Sequence, residues 1–372
     1  MSRTKASRTW LEQIAEAGLS GDARRLELVI LNAIRSLRKS EPDVSHSLGD
    51  LLGKHADTVS GIRWQPAAPP PSDTEQGMAL VRLTNPEDAP APILTPDVAN
   101  AVEQFIAERK GASRLLKEGY SPPSSVLLLG APGTGKTMLA RWLSSQLGLP
   151  LVVQDLAVSI SSLLGKTGFN LRRTLDYARA NPCLLLLDEF DAIAKRRDDS
   201  TELGELKRIV NVLLKELEDW PSHSVLVAAT NHPELLDPAI NRRFQLILRL
   251  PLPGAEERAA IMLRAAGRLA EDLQPSLLRA CGESLSGFSG SDIERIMQAA
   301  ARRHLSRDTP ISEALVSEVL SNDDDSSSRD SLGSLIRALR TSGTMTVRDI
   351  GTLVGRSPST VQHHLKKEPS HG

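Results

Sequence analysis

Apolar residues recur along this chain at two periods. Residues 1–60 carry helical spacing. Trp10, Ile14 and Ala17 share one face, and Gly18 closes that run. Leu26, Val29, Ile30, Ala33 and Leu37 form a second stripe of the same kind. Residues 66–77, rich in proline and polar side chains, break the pattern and read as a linker. From 78 to 320, strand and helix signals alternate and then only helices follow. Val126–Leu129, Leu151–Val153, the run from Cys183 and the run from Val225 are short and apolar throughout. Such runs suit strands of a parallel sheet covered on both faces. Helical patterning follows at Thr137–Leu147 and Leu171–Ala180. The acidic and serine-rich run 322–330 reads as a second linker, and 331–368 as a small helical unit. No repeat of 20–50 residues is visible in the sequence.

Composition narrows the classes. The 372 residues suit two to three domains at about 150 residues each. Apolar residues make up 40% and charged residues 24%, as in ordinary folded chains, which excludes wholesale disorder. No apolar run is long enough to span a bilayer. The basic N-terminus lacks the apolar stretch of a secretory signal. Two cysteines, Cys183 and Cys281, suggest neither a zinc site nor a disulfide framework, so a cytoplasmic location is expected. With a net charge of −1, any attraction to nucleic acid must be local. Aromatics are only 3%, which leaves few rings for stacking single-stranded bases.

The chemistry lies in the middle of the chain. Gly130-Ala131-Pro132-Gly133-Thr134-Gly135-Lys136-Thr137, followed by Met138, matches the phosphate-loop pattern between a strand and a helix. Its glycines let backbone N–H groups close around phosphate oxygens, and the helix start adds positive potential. Lys136 would reach the β- and γ-phosphates, and Thr137 would ligate Mg²⁺. The apolar run from Cys183 ends in Asp188-Glu189. Acids there fall at the strand ends where open α/β sheets bind ligands. Asp188 would hold Mg²⁺, and Glu189 would orient or deprotonate the attacking water; the plainer alternative is an acid pair at a helix start. The run from Val225 ends at Asn231, placed to position that water or simply to make a turn. Arg242 and Arg243, beside Phe244, are either surface ion-pair partners or arginine fingers for a neighbouring subunit's γ-phosphate.

Four motifs in order, GAPGTGKT, LLLLDEFDAI, AATNHPELLDPAINRRF and GFSGSDIERIMQAA, make residues 93–320 resemble the ATPase module of the AAA family of ring-forming ATPases. The resemblance implies an α/β fold: a P-loop NTPase parallel sheet with a helical lid, flanked here by small all-helical N- and C-terminal domains. It implies Mg²⁺-dependent hydrolysis of ATP by a homo-oligomer, usually a hexamer. Asn231 resembles the first sensor, and Arg242 and Arg243 the paired fingers. Asn241 stands where one branch of the family has a third arginine. Gly290 and Ser291 resemble the turn that opens a lid helix beside the nucleotide base. Leu163, Leu164 and Gly165 stand where the family's unfoldases carry an aromatic-hydrophobic-glycine pore loop; with leucine for the ring, they form either a weaker grip or a locally packed surface loop. Lys195, Arg196 and Arg197 face either solvent or a subunit interface.

The implied organisation is a partner-binding helical domain at 1–65, a linker at 66–92, a nucleotide-binding subdomain at 93–253, a lid at 254–321, a linker at 322–330 and a tail domain at 331–368. No His-Glu-x-x-His or Gly-x-Ser-x-Gly occurs. The chain also resembles stand-alone bacterial ATPases that occur beside subtilisin-like serine proteases in plasmid-stability or phage-defence modules. That resemblance implies a separate subtilisin-like protease as the protein client.

The tail carries its own pattern. Thr346 to Lys367 reads as helix, tight turn and helix. Gly355 closes the first helix, Ser357 caps the second, and Val347, Ile350, Val354, Val361 and Leu365 share one apolar face. It resembles the helix-turn-helix of bacterial transcription regulators. Arg356, Ser359, Thr360, Gln362 and His363 are then the candidates to face a DNA groove. A three-helix protein-docking module would use the same apolar geometry. The expected function is an ATP-driven remodeller or regulator of a protein partner, or a DNA-tethered ATP-dependent regulator acting through 331–368.

Overall fold

The computed structural model describes residues 3–21, 23–61, 71, 80–86, 88–156, 167–192, 220–236, 238–322, 328–341 and 345–366. The chain divides into two compact units. One comprises Met1–Pro92, Asp97–Gly130 and Lys136–Arg249; the other comprises Ile93–Pro96, Ala131–Gly135 and Leu250–Gly372.

The first unit is built on a six-stranded sheet in the order β1-β3-β4-β5-β2-β6. The strands are β1 (Arg82–Thr84), β2 (Ser125–Leu129), β3 (Leu151–Asp155), β4 (Leu184–Asp188), β5 (Val225–Thr230) and β6 (Leu246–Arg249). All pairings are parallel except β1 with β3, which is antiparallel. Every residue of β2 and β5 is buried, as is the whole Leu184–Leu187 run of β4. That is the physical meaning of apolar runs without alternation: both faces of these strands are covered. Burying each leucine contributes about 1.5–3 kcal/mol. The edge strands β1 and β6 lacked that signature, because an edge strand is only half covered.

Register decides where the chemistry falls. Leu129 pairs with Thr230, and Leu187 pairs with Ala228. The residues that follow these pairs, Gly130, Asp188 and Asn231, therefore leave the sheet along the same edge.

The helices of this unit are α1 (Arg3–Leu19), α2 (Ala23–Leu37), α3 (Pro42–Gly61), α4 (Pro96–Lys110), α5 (Ala112–Lys117), α6 (Lys136–Leu147), α7 (Thr167–Ala180) and the short α8 (Pro238–Asn241). The first three do not stand apart from the rest. Leu31, Ile34 and Leu52 share a core with Leu116 of α5. Arg35 Nε donates to the Gly119 carbonyl at 2.6 Å, and Arg38 pairs with Glu118. Arg109 of α4 is half-buried and donates to the Ser222 carbonyl at 2.7 Å; desolvation pulls its pKa down to about 10 against the opposing pull of Glu27.

The second unit is helical. Its elements are α9 (Ala255–Ala266), α10 (Pro275–Ser284), α11 (Gly290–Arg307), α12 (Ile311–Ser321), α13 (Ser328–Thr341), α14 (Val347–Leu353) and α15 (Pro358–Lys366). Leu277, Leu278 and Cys281 of α10 and Ile293 and Met297 of α11 share one core with Leu335, Ile336, Leu339, Ile350, Val354 and Val361. The helices on either side of the 322–330 run thus pack as one body.

Candidate functional site

The site in the sheet-bearing unit begins where β2 ends. Gly130 N–H donates to the Thr230 carbonyl at 3.4 Å, carrying the β2–β5 ladder one residue further. The chain resumes in this unit at Lys136, the first residue of α6. Lys136 is buried, and its Nζ donates to the Gly130 carbonyl at 2.7 Å. Burial lowers its pKa, while Asp188 and Asp191 pull the other way. The two carboxylates favour the charged ammonium, and desolvation opposes it.

Thr137 Oγ1 donates to Asp188 Oδ2 at 2.9 Å. A threonine hydroxyl and one carboxylate oxygen thus converge at the exit of β2 and β4. This donor set fits Mg²⁺, a hard cation that takes few protein ligands and fills its shell with water and phosphate oxygens. Among the described residues no cluster of three His, Cys, Asp or Glu forms a metal cage.

Glu189 is exposed, between partly buried Asp188 and buried Phe190. Its φ is +53°, in the left-handed region that a non-glycine residue adopts at a cost of about 1–3 kcal/mol. Three bonds hold that turn. Glu189 N–H donates to Asp188 Oδ1 at 3.0 Å, Phe190 N–H to the Ala229 carbonyl at 2.8 Å, and Ala192 N–H to the Glu189 carbonyl at 2.8 Å. The turn ends the strand sharply and presents the Glu189 side chain beyond the sheet edge.

Asp191 is the residue that the sequence did not single out. It is only 4% exposed. Its Oδ1 accepts from Thr230 Oγ1 at 3.0 Å and from Asn231 N–H at 3.3 Å. One buried carboxylate thereby ties the exit of β4 to the exit of β5 and fixes the backbone of Asn231. Its position two residues beyond Glu189 was the available signal, but periodicity assigns no role to an acid in a turn.

Arg242 and Arg243 are both exposed. Phe244 beside them is buried and meets Phe190 edge-on, with ring centroids 6.2 Å apart. Leu236 and Ile240 join the same core. The apolar residues of this segment anchor it, so the two arginines point outward from a fixed base.

In the helical unit, the tip of the phosphate loop meets the start of α11. Ser291 N–H donates to the Gly133 carbonyl at 3.2 Å. Gly133 has φ +76°, and a Cβ there would run into the Ser289 and Ser291 hydroxyls, so only glycine fits. Ser289 and Asp292 form a capping box that fixes the α11 N-terminus, with Gly290 as its first residue. Within the tip, Thr134 Oγ1 donates to the Ala131 carbonyl at 2.9 Å. Ala131 and Pro132 are exposed, and Met138 is half-buried in α6.

The tail candidates Arg356, Ser359, Gln362 and His363 are exposed, and Thr360 is half-buried. Ser357 Oγ accepts from Thr360 N–H at 3.3 Å, the bond expected of a cap. Leu163, Leu164, Gly165, Lys195, Arg196 and Arg197 lie outside the described residues.

Comparisons with known proteins agree with this geometry. Residues 126–252 match the profile of the ATPase family associated with various cellular activities (AAA). An AAA family ATPase called y4kL, of Sinorhizobium fredii, is 38% identical over 198 residues, which is 53% of this chain and 59% of that protein. The ATP-dependent zinc metalloprotease FtsH 3 of Sphaerobacter thermophilus is 35% identical over 224 residues, 57% of this chain and 45% of that protein. A putative 26S proteasome regulatory subunit homolog of Methanocaldococcus jannaschii is 35% identical over 196 residues, 51% of this chain and 52% of that protein. The chain thus spans about half the length of the curated relatives it matches. The crystal structure of the FIGL-1 AAA domain superposes with a TM-score of 0.51 at 22% identity, covering 74% of this chain and 90% of that one, and shares the fold.

Proposed function

We propose that this chain, whose residues 126–252 match the AAA ATPase family, hydrolyses ATP and spends the cycle on a protein partner. The observation that carries this reading is the meeting of Thr137 and Asp188 at 2.9 Å beside buried Lys136, with Glu189 presented just past them. The N–H groups of residues 133–137 cradle the phosphates, and Lys136 neutralises the β- and γ-oxygens. Thr137 and Asp188 would hold Mg²⁺, which would supply positive charge to offset that of the phosphates. Glu189 takes a proton from the attacking water. The water oxygen bonds to the γ-phosphorus, the bond to the ADP oxygen breaks, and ADP and phosphate leave. Asn231 orients the water, and Asp191 orients Asn231.

Arg242 and Arg243 sit on an anchored, outward-facing segment, which suits a guanidinium offered to the next protomer's γ-phosphate. This supports a ring, expected to be a hexamer. The FtsH and proteasome-regulatory relatives carry names of protein-processing machines, which supports a protein client. A separate subtilisin-like serine protease is our candidate, with α1–α3 as the recruiting surface.

Glu189→Gln tests the reading. The variant should bind ATP and lose turnover by about a hundredfold or more, in line with removal of a general base. It should also hold its client for affinity capture. Wild-type turnover by this variant would remove Glu189 from the chemistry.

A further inference from the structure

The C-terminal helices are not an appendage. Their buried residues Leu335, Ile336, Leu339, Ile350, Val354 and Val361 lie in the same core as α10 and α11. The α11 N-terminus in turn donates the Ser291 N–H to the carbonyl of Gly133, at the tip of the phosphate loop. Loop tip, lid and tail belong to one compact unit.

The outward side of that unit has a different chemistry. On α15, Val361 and Leu365 turn into the core, while Ser359, Gln362, His363 and Lys366, spaced i, i+3, i+4 and i+7, are exposed. Arg348 and Arg356 are exposed as well. Among the described residues 345–366 the one acid is Asp349, whose carboxylate accepts from the Thr346 N–H and hydroxyl at 2.9 and 2.7 Å. Over 326–372 the sequence holds seven Lys/Arg against three Asp/Glu, a net of +4 in a chain whose total is −1. No large hydrophobic side chain is exposed among the described residues 332–341 and 345–366.

A protein-docking face needs apolar anchors, and this one has none. A stripe of uncharged hydrogen-bonding groups flanked by cations suits phosphates and base edges. The B-form major groove, about 12 Å wide, admits a helix, whereas the A-form groove of duplex RNA does not. The tight turn helps present α15. Arg356 N–H donates to the Gly351 carbonyl at 2.9 Å, and a Cβ on Gly351 would lie 2.8 Å from the Arg356 carbonyl oxygen.

We propose that the exposed face of α15 binds duplex DNA, and that this binding is linked to the nucleotide state through the core that tail and lid share. Linkage is reciprocal: if nucleotide biases the lid, DNA on the tail biases nucleotide affinity by the same factor. The linkage rests on the reading that residues 130–137 hold ATP; DNA binding itself does not.

The test uses the full-length Glu189→Gln protein and a labelled random-sequence duplex, read by fluorescence anisotropy with ATP, with ADP and without nucleotide. A fluorescent ATP analogue reports nucleotide binding in parallel. Neutralising four phosphates predicts affinity falling about a hundredfold between 50 and 200 mM salt. ATP and ADP states should differ by about fivefold or more. The double variant Arg356→Glu/Lys366→Glu should lose the duplex and keep its affinity for the ATP analogue, which also reports that it is folded. Duplex binding retained by that variant would overturn the α15 face, and equal binding of duplex RNA would overturn groove recognition. Equal DNA affinity in all nucleotide states, with the analogue bound, would overturn the linkage. If the analogue does not bind at all, the ATPase reading and the linkage fail together, and salt-dependent DNA binding is judged alone. Absence of duplex binding, with loss of a captured protein client on charge reversal, would make the face a protein dock and overturn the proposal.

Discussion

Asp191 shows how much a single buried carboxylate decides. It fixes the Thr230 side chain and the Asn231 backbone. Asp191→Ala leaves two donors without their acceptor, at a cost of about 1–3 kcal/mol. We expect it to lower kcat while nucleotide affinity changes little, because Thr137, Lys136 and Asp188 remain in place. A fluorescent-nucleotide titration beside steady-state turnover separates the two; an equal loss in both would make Asp191 merely structural. The two thiols show the opposite limit. Burial pushes Cys183 and Cys281 up to about 12, so both stay protonated and inert near neutral pH. The sequence displayed Lys136, Asp188, Glu189 and Asn231 as candidates, because a phosphate-loop pattern and polar residues closing apolar runs are visible without a fold. It did not display Asp191, because an acid three residues past the sheet acquires its role only when β5 lies alongside β4.

At the scale of elements, the central strands were legible and the edge strands were not. The runs Leu127–Leu129, Leu184–Leu187 and Val225–Ala229 are apolar on both faces because helices cover both. β1 and β6 are short and half covered: β1 has no apolar run, and the brief Leu246–Leu248 run of β6 leaves Ile247 exposed. Leu186, fully buried in β4 two residues before Asp188, measures what the centre contributes. Leu186→Ala should cost about 2–5 kcal/mol, read as a lowered urea midpoint. Turnover should fall with it, since β4 carries Asp188 and Glu189 at its end. The helices from Ser328 onward were also readable from their stripe, their caps and Gly355. What the stripe could not tell was which partner would cover it. An apolar helix face records only that it must be buried, and here α10 and α12 do the burying.

For the molecule as a whole, the outward arginines set the quaternary expectation. If Arg243 acts on a neighbour's nucleotide, Arg243→Ala should bind ATP and fail to hydrolyse it. Mixing it with Lys136→Ala, which keeps the arginine but loses nucleotide, should then restore part of the turnover, measured as phosphate release against mixing ratio. Failure of the mixture to recover any activity, when mixed assemblies are seen by mass, would confine the arginine to its own subunit.

The core shared across the acidic run has a consequence for anyone who trims this protein. A cut near residue 322 looks harmless on paper, because it falls in a run of aspartates and serines. It would instead strip the cover from Leu277, Leu278 and their neighbours, leaving a greasy, sticky protein. Cys281, silent toward alkylating reagents in the intact chain, would announce the damage by becoming reactive.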